Sequence, residues 1–304
     1  MKLKELGEKE FIDKYIKPYL KKEFLLDVQK IDDLGIKIDG FPLKYLLPFM
    51  DYFDIGWKAV ISTLSDLFSM GVEPSFGEIS LGLNPNLDVN DAKLLLNGIF
   101  ECGRYYNVEI IGGDTNSSSE GWVDVAIIGK TKCKKLFQPS PKVGDYVILT
   151  NPIGYTSLIF YLLDKYGKLN YIPLKFINRL KHPILNRAIL NFIEDNCDTI
   201  SYSTDISDGL LISLYNFYKL TNLGINIKNF GIADEVIEFS KLYSADLDAL
   251  LKFSGEEYET ILVIRNLSVL KDLESWGFTP IIIGEVSESW KLKVTGWDNF
   301  LGWF

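Results

Sequence analysis

The stretch Ile55–Pro74, IGWKAVISTLSDLFSMGVEP, decides how the rest of the chain is read. From Gly56 to Met70, the residues Trp57, Val60, Ile61, Leu64, Leu67 and Phe68 recur at helical spacing, which predicts a helix with one buried stripe. Gly71 suits the position just past a helix end, and Pro74 blocks continuation. Asp66 falls opposite Trp57 on the helical wheel, so it faces either solvent or a cleft.

Working outward, Phe76–Leu83 reads as a strand and Asn84-Pro85-Asn86 as a turn. Asp88–Tyr106 reads as a helix with Leu94, Leu95, Ile99 and Cys102 on its buried side. Val108, Ile110 and Ile111 form a β-prone run that ends in GGDT, Gly112 to Thr115. Two adjacent glycines predict a sharp turn or a close approach to a ligand, with Asp114 at the end of the strand. Trp122–Lys130 alternates as a further strand. Upstream, Leu3–Leu20 reads as one or two amphipathic helices broken near Pro18. Asp32-Asp33 precedes an alternating GIKID segment and by itself reads equally well as a solvated turn. Phe41–Tyr52 is apolar and partly extended, with Asp51 near its end.

Downstream, Lys132–Asp145 is polar, basic and holds two prolines, which places a domain boundary there and divides the chain into 1–137 and 138–304. Strands follow at Tyr146–Leu149, Thr260–Ile264, Ile281–Val286 and Lys291–Thr295. Helices follow at Ser157–Tyr166 and within Phe176–Glu194, and after Ser203–Gly209. The pattern is α+β, with two α/β sandwich-like domains.

Length and composition agree. The chain has 304 residues, 47% hydrophobic and 24% charged, ample for two packed cores. A net charge of -9 argues against nucleic acid as a partner. No apolar run is long enough to span a membrane. Three scattered cysteines without a CxxC pair, and a single histidine, argue against zinc. Few cysteines and a charged, amphipathic start predict a cytoplasmic protein.

Several familiar sites are excluded. Gly129-Lys130-Thr131 has the tail of a Walker loop, but Asp124 occupies its leading glycine position and the segment reads as a strand. No GxGxxG, GxSxG or HExxH occurs, and His182 beside Pro183 has no serine elbow to serve. What remains is a set of carboxylates at turns. Acids gathered around a phosphate ligand require counter-ions, and Mg²⁺ is the hard, oxygen-seeking cation suited to that role.

In order along the chain, Leu6-Gly7-Glu8, Asp32-Asp33, the Ile55–Pro74 block, GGDT, the following GKT-ending strand, STDISDGL (Ser203–Leu210), SGEEYE (Ser254–Glu259) and GWDNF (Gly296–Phe300) resemble the thiamine-monophosphate kinase family. The resemblance covers nearly the whole chain. Its superfamily includes aminoimidazole ribonucleotide synthetase, selenophosphate synthetase and the hydrogenase-maturation dehydratase. It implies an N-terminal domain that forms a β-barrel with its symmetry mate at the centre of a homodimer. It also implies phosphorylation of thiamine monophosphate by ATP, with Mg²⁺ and K⁺ as candidate cofactors. Carried over by motif, Asp32, Asp33, Asp66, Asp114, Asp205 and Asp208 are metal candidates. Asp51 is added as a stand-in for an aspartate missing from the shortened segment before Gly56. Asp114, Asp205 and Asp208 are the catalytic candidates. Gly112, Gly113, Asp114, Thr115, Ser207 and Asp208 are implied nucleotide contacts; Asp51, Glu256, Trp297 and Phe300 are implied substrate contacts. Glu257 and Ser254 depart from the aspartate and glycine expected there. The alternatives are another ATP-dependent member of the superfamily, of the purine-pathway kind, or a noncatalytic thiamine-phosphate-binding homologue.

Overall fold

The structure, a computed structural model, describes residues 2–20, 26–169 and 172–291. The strand expected after Lys291, and the GWDNF residues Trp297 and Phe300, lie outside these. Two five-stranded sheets organise the chain. The first comprises β1 (Gln29–Ile31), β2 (Leu34–Pro42), β3 (Val72–Leu83), β4 (Glu109–Ser117) and β5 (Trp122–Thr131). Its order is β1-β2-β5-β3-β4, antiparallel except for the β3–β4 pair. The N-terminal segment holds two short helices, α1 (Leu3–Leu6) and α2 (Glu8–Phe11), and ends in a 3₁₀ turn at Lys17–Tyr19 containing Pro18.

Helices α3 (Tyr52–Ser69) and α4 (Val89–Tyr106) cover one face of this sheet. Helix α3 starts four residues earlier than the apolar stripe predicts, because Asp51 caps it: its carboxylate accepts from the Asp54 N–H at 3.2 Å, and Asp54 returns the bond to the Asp51 N–H at 2.9 Å. The crossing with α4 is close. A Cβ on Gly56 would lie 2.1 Å from the Leu95 carbonyl, and one on Gly98 would lie 2.0 Å from that of Phe53. Only glycine permits this backbone-to-backbone approach.

The GGDT residues form no turn. They run on inside β4, the edge strand, where Gly113 passes so close to β3 that a Cβ would sit 2.0 Å from the Ile79 carbonyl. Parallel pairing with β3, through a bulge at Gly77/Glu78, keeps the segment extended.

The second sheet is wholly antiparallel, in the order β7-β9-β6-β10-β8. Its strands are β6 (Tyr146–Leu149), β7 (Ile200–Asp205), β8 (Gly224–Ile227), β9 (Thr260–Ile264) and β10 (Ile281–Ser287). Around it lie α5 (Tyr155–Tyr166), α6 (Leu174–Lys181), α7 (Ala188–Asp195), α8 (Leu210–Thr221), α9 (Asp234–Leu242), α10 (Leu247–Lys252) and α11 (Leu270–Ser275). The two halves are joined tightly through α3. The Trp57 indole N–H donates to the Pro183 carbonyl at 2.8 Å, and the Ser203 hydroxyl donates to the Ser69 carbonyl at 2.5 Å. Burial of α3 is nearly complete, so Asp66 faces no bulk solvent.

Cys133 and Cys197 form a disulfide across 64 residues, and Cys102 is buried as a thiol. Cysteine scarcity therefore carries no argument about a reducing compartment. Among the described residues, no helix is long and apolar enough to cross a membrane.

Candidate active site

Strand alternation builds the first wall of the site. In register, Lys37 faces Ile127 and Asp39 faces Val125 on β5, and both of those partners are buried. Residues opposite each other in a sheet share a face, so Lys37 and Asp39 project to the helix-covered side. There α3 presents Asp66, whose carboxylate meets the Lys37 ammonium at 2.6 Å. The second half supplies Asp205 at the C-terminal end of β7, and the segment before β1 supplies Asp27.

Asp27, Asp66 and Asp205 each offer an oxygen within 4.8 Å of the others. The Thr204 hydroxyl holds Asp27 at 2.6 Å, and the Ser65 hydroxyl holds Asp205 at 2.5 Å. Burial pushes the Asp66 carboxyl well up; Lys37 pulls it back, while Asp205, Asp27 and Asp39 push it further. Burial and the neighbouring Asp27 likewise raise Asp205, to about 7. For Lys37, burial favours the neutral amine, but the Asp66 and Asp39 carboxylates outweigh it and hold the ammonium above its usual range. One ammonium shared among four carboxylates leaves the centre short of positive charge. Three hard oxygen donors from three separate segments, Asp66 and Asp205 buried and Asp27 half-buried, suit a divalent cation such as Mg²⁺.

A loop pair closes one side. The Glu256 N–H donates to the Ser207 carbonyl at 2.6 Å, the Tyr258 N–H to the Ile206 carbonyl at 2.9 Å, and the Ile206 N–H to the Glu259 carbonyl at 2.9 Å. Glu256 and Tyr258 hold left-handed backbone conformations, φ 55° and 53°, a strained geometry for non-glycine residues. The Glu256 carboxylate ion-pairs with buried Lys58 of α3 at 2.5 Å, which gives the lysine of GWKA a role that spacing did not reveal. Ser254, in place of an expected glycine, accepts from the Leu210 N–H at 3.1 Å and so caps α8. Glu257 turns away: half-buried, it accepts from Gly154 N–H at 2.8 Å and from Ser157 at the start of α5.

The other candidates lie elsewhere. Asp32-Asp33 is the β1–β2 hairpin turn, with Asp32 at φ 53° and Asp33 exposed and paired with Lys134 at 2.5 Å. The turn reading of that pair is the one realised, and Asp27 takes the place at the centre. Asp51 is spent on capping α3. Asp39, two residues after Lys37 in GIKID, is an acid at an inward position of an alternating strand, a signal the sequence reading passed over. Asp114 pairs in register with Ser80 on the uncovered face of the sheet, where the Asn116 amide donates to it at 2.7 Å. Gly112, Gly113 and Thr115 share that edge strand. Ser207 and Asp208 sit on the loop beside Asp205, Ser207 donating to Asp205 at 3.3 Å and Asp208 exposed. His182 is wedged edge-on against Trp57, ring centroids 4.0 Å apart, and burial lowers its pKa.

A cleft of about 510 Å³ between the halves shares the Ser65 wall. Its cations already have acidic partners, Lys175 with Glu235 and Arg179 with Glu259.

Residues 21–131 match the family described as AIR synthase related protein, N-terminal domain. A thiamine-monophosphate kinase from Methanopyrus kandleri is 30% identical over 244 residues, covering 79% of this chain and 74% of the relative. This chain belongs to the thiamine-monophosphate kinase family. A member from Pyrobaculum calidifontis is 26% identical over 283 residues, covering 91% of this chain and 90% of its own. Among solved structures, AaThiL complexed with AMPPCP and TMP shares the fold at a TM-score of 0.82, with 23% identity and 98% of each chain covered. The AIR synthase related match, residues 21–131, includes Asp27, Lys37, Asp39 and Asp66.

Proposed function

We propose that this protein transfers the terminal phosphoryl group of ATP to the phosphate of thiamine monophosphate, giving ADP and thiamine diphosphate. The observation that carries the reading is the meeting of Asp27, Asp66 and Asp205 inside a kinase-family fold. These three would hold Mg²⁺, which supplies charge neutralisation for a transferred phosphoryl group. The acceptor is a phosphate oxygen, already anionic at neutral pH. No strong general base is then needed, in keeping with a histidine packed among aromatic rings. Ser65, Thr204 and Lys37 orient the carboxylates, and Ser207 and Asp208 offer polar groups at the loop facing the centre.

The uncovered face of the first sheet supports a homodimer with a β-barrel at its centre. Leu34, Ile38 and Phe76 on its strands are 43%, 63% and 46% exposed, and β4 is a nine-residue edge strand that is exposed along most of its length. Such an edge and face call for covering. A second copy would cover them and would bring its own Gly112–Thr115 segment into the assembly. Small, phosphorylated substrates support a cytoplasmic setting, whereas the Cys133–Cys197 bond argues the other way.

The test is incubation of the purified protein with ATP, Mg²⁺ and thiamine monophosphate. Equal amounts of ADP and thiamine diphosphate are expected. ATP binding without any diphosphate product would overturn the assignment.

A further inference from the structure

The acidic centre contains its own cation. Lys37 stands on the inward face of β2, and its ammonium lies 2.6 Å from one oxygen of Asp66, itself one of the three converging carboxylates. Asp39 shares that inward face two residues along. The nearby Lys58 is committed to Glu256. Asp66 is reached by the Lys37 ammonium from β2, while Asp205 from the second half and Asp27 from the segment before β1 bring carboxylate oxygens within 4.8 Å of its own. A carboxylate has two oxygens, so one can be held by Lys37 while the other serves a metal ion.

We propose that Lys37 is a resident counter-ion: it positions Asp66 and supplies positive charge that an additional divalent cation would otherwise bring. Two consequences follow from charge balance. The metal-free centre tolerates its crowded carboxylates because the lysine is always present. The loaded centre needs fewer free ions than its acid count suggests. Lys37 is thus a positioning residue acting through Asp66. The inference rests on the metal reading of the centre given above.

The experiment compares wild type, Lys37→Met and Lys37→Arg by thermal unfolding in EDTA and in excess Mn²⁺, with Mn²⁺ per chain counted by electron paramagnetic resonance. Lys37→Met is expected to melt lower in EDTA, to recover most of that loss with Mn²⁺, and to bind one more Mn²⁺ per chain than wild type. Lys37→Arg should follow wild type. A Lys37→Met protein with wild-type melting in EDTA and an unchanged Mn²⁺ count would overturn the proposal. So would a melting loss that Mn²⁺ does not restore. Should Lys37→Met fail to fold, the double variant Lys37→Met/Asp66→Asn, which removes both charges, should fold again; failure of the double variant to do so also overturns it. If wild type binds no Mn²⁺ at all, the metal reading itself falls, an outcome distinct from unchanged counts in a protein that does bind.

Discussion

The two faces of the first sheet carry different kinds of information. The inner face is closed by α3 and α4, and the acids it holds, Asp39 and Asp66, are fixed by strand register and helix packing within one chain. The outer face leaves Leu34, Ile38, Phe76 and most of β4 exposed, and among the acids it holds Asp114 bonds to Asn116 rather than to the centre. A carboxylate on the inner face can act in the chain that carries it. One on the outer face can act only where another molecule meets it. The difference teaches that motif order along a sequence does not say which copies of a motif share a site.

The largest expected effect comes from breaking the inner side. Asp205→Asn or Asp27→Asn removes one of the three proposed cation ligands, and turnover should fall about a hundredfold or more, as losses of transition-state charge stabilisation commonly do. The fold should survive, since each replacement relieves like-charge crowding. Steady-state rates with circular dichroism as a control check both halves of the statement. Near-normal turnover in Asp27→Asn would remove the segment before β1 from the centre.

The outer side gives a second, smaller effect with a sharper reading. Asp114→Asn alone should lower turnover by about tenfold or more if Asp114 serves a site in another copy, because charge-assisted contacts to phosphate are strong. Mixing it with Asp66→Asn then makes hybrid dimers in which one of the two sites keeps both acids. Activity of the mixture should exceed that of either variant alone. No gain on mixing, in a protein shown by ultracentrifugation to be dimeric and exchanging, would confine Asp114 to its own chain or to no role.

Much of the architecture was legible because it depends on local patterns. The α3 stripe, the alternation of β5 and the four-residue β6 are written in apolar periodicity, and the structure places them where the periodicity does, apart from the capped start of α3. Asp66 and Asp205 entered as candidates through the family motifs, since the helical wheel alone left Asp66 facing either solvent or a cleft. Asp27 was not legible, since it lies in an irregular segment with no period to mark it. Lys37 was not, because a charged residue in a short alternating strand reads as solvent-facing until the register says otherwise. Gly112-Gly113 suggested a turn, yet glycine also serves a strand that must press against its neighbour, and only the pairing of β4 with β3 distinguishes the two.

The smallest expected effect tests the choice between two neighbouring acids. Asp33 and Asp27 are six positions apart and equally acidic in sequence, but the hairpin turn sends Asp33 outward to Lys134, which lowers its pKa through a hydrogen bond and a nearby charge. Asp27 is instead raised by burial, with Thr204 bonded to it. Exposed ion pairs of the Asp33 kind contribute little. Asp33→Asn should therefore leave melting and turnover at wild-type levels, while Asp27→Asn loses turnover. The comparison needs only the two variants assayed side by side with saturating Mg²⁺ and ATP. A large loss in Asp33→Asn would mean that the hairpin turn reaches a ligand in the working enzyme, and the centre would then have to extend across the β1–β2 end of the sheet to include it.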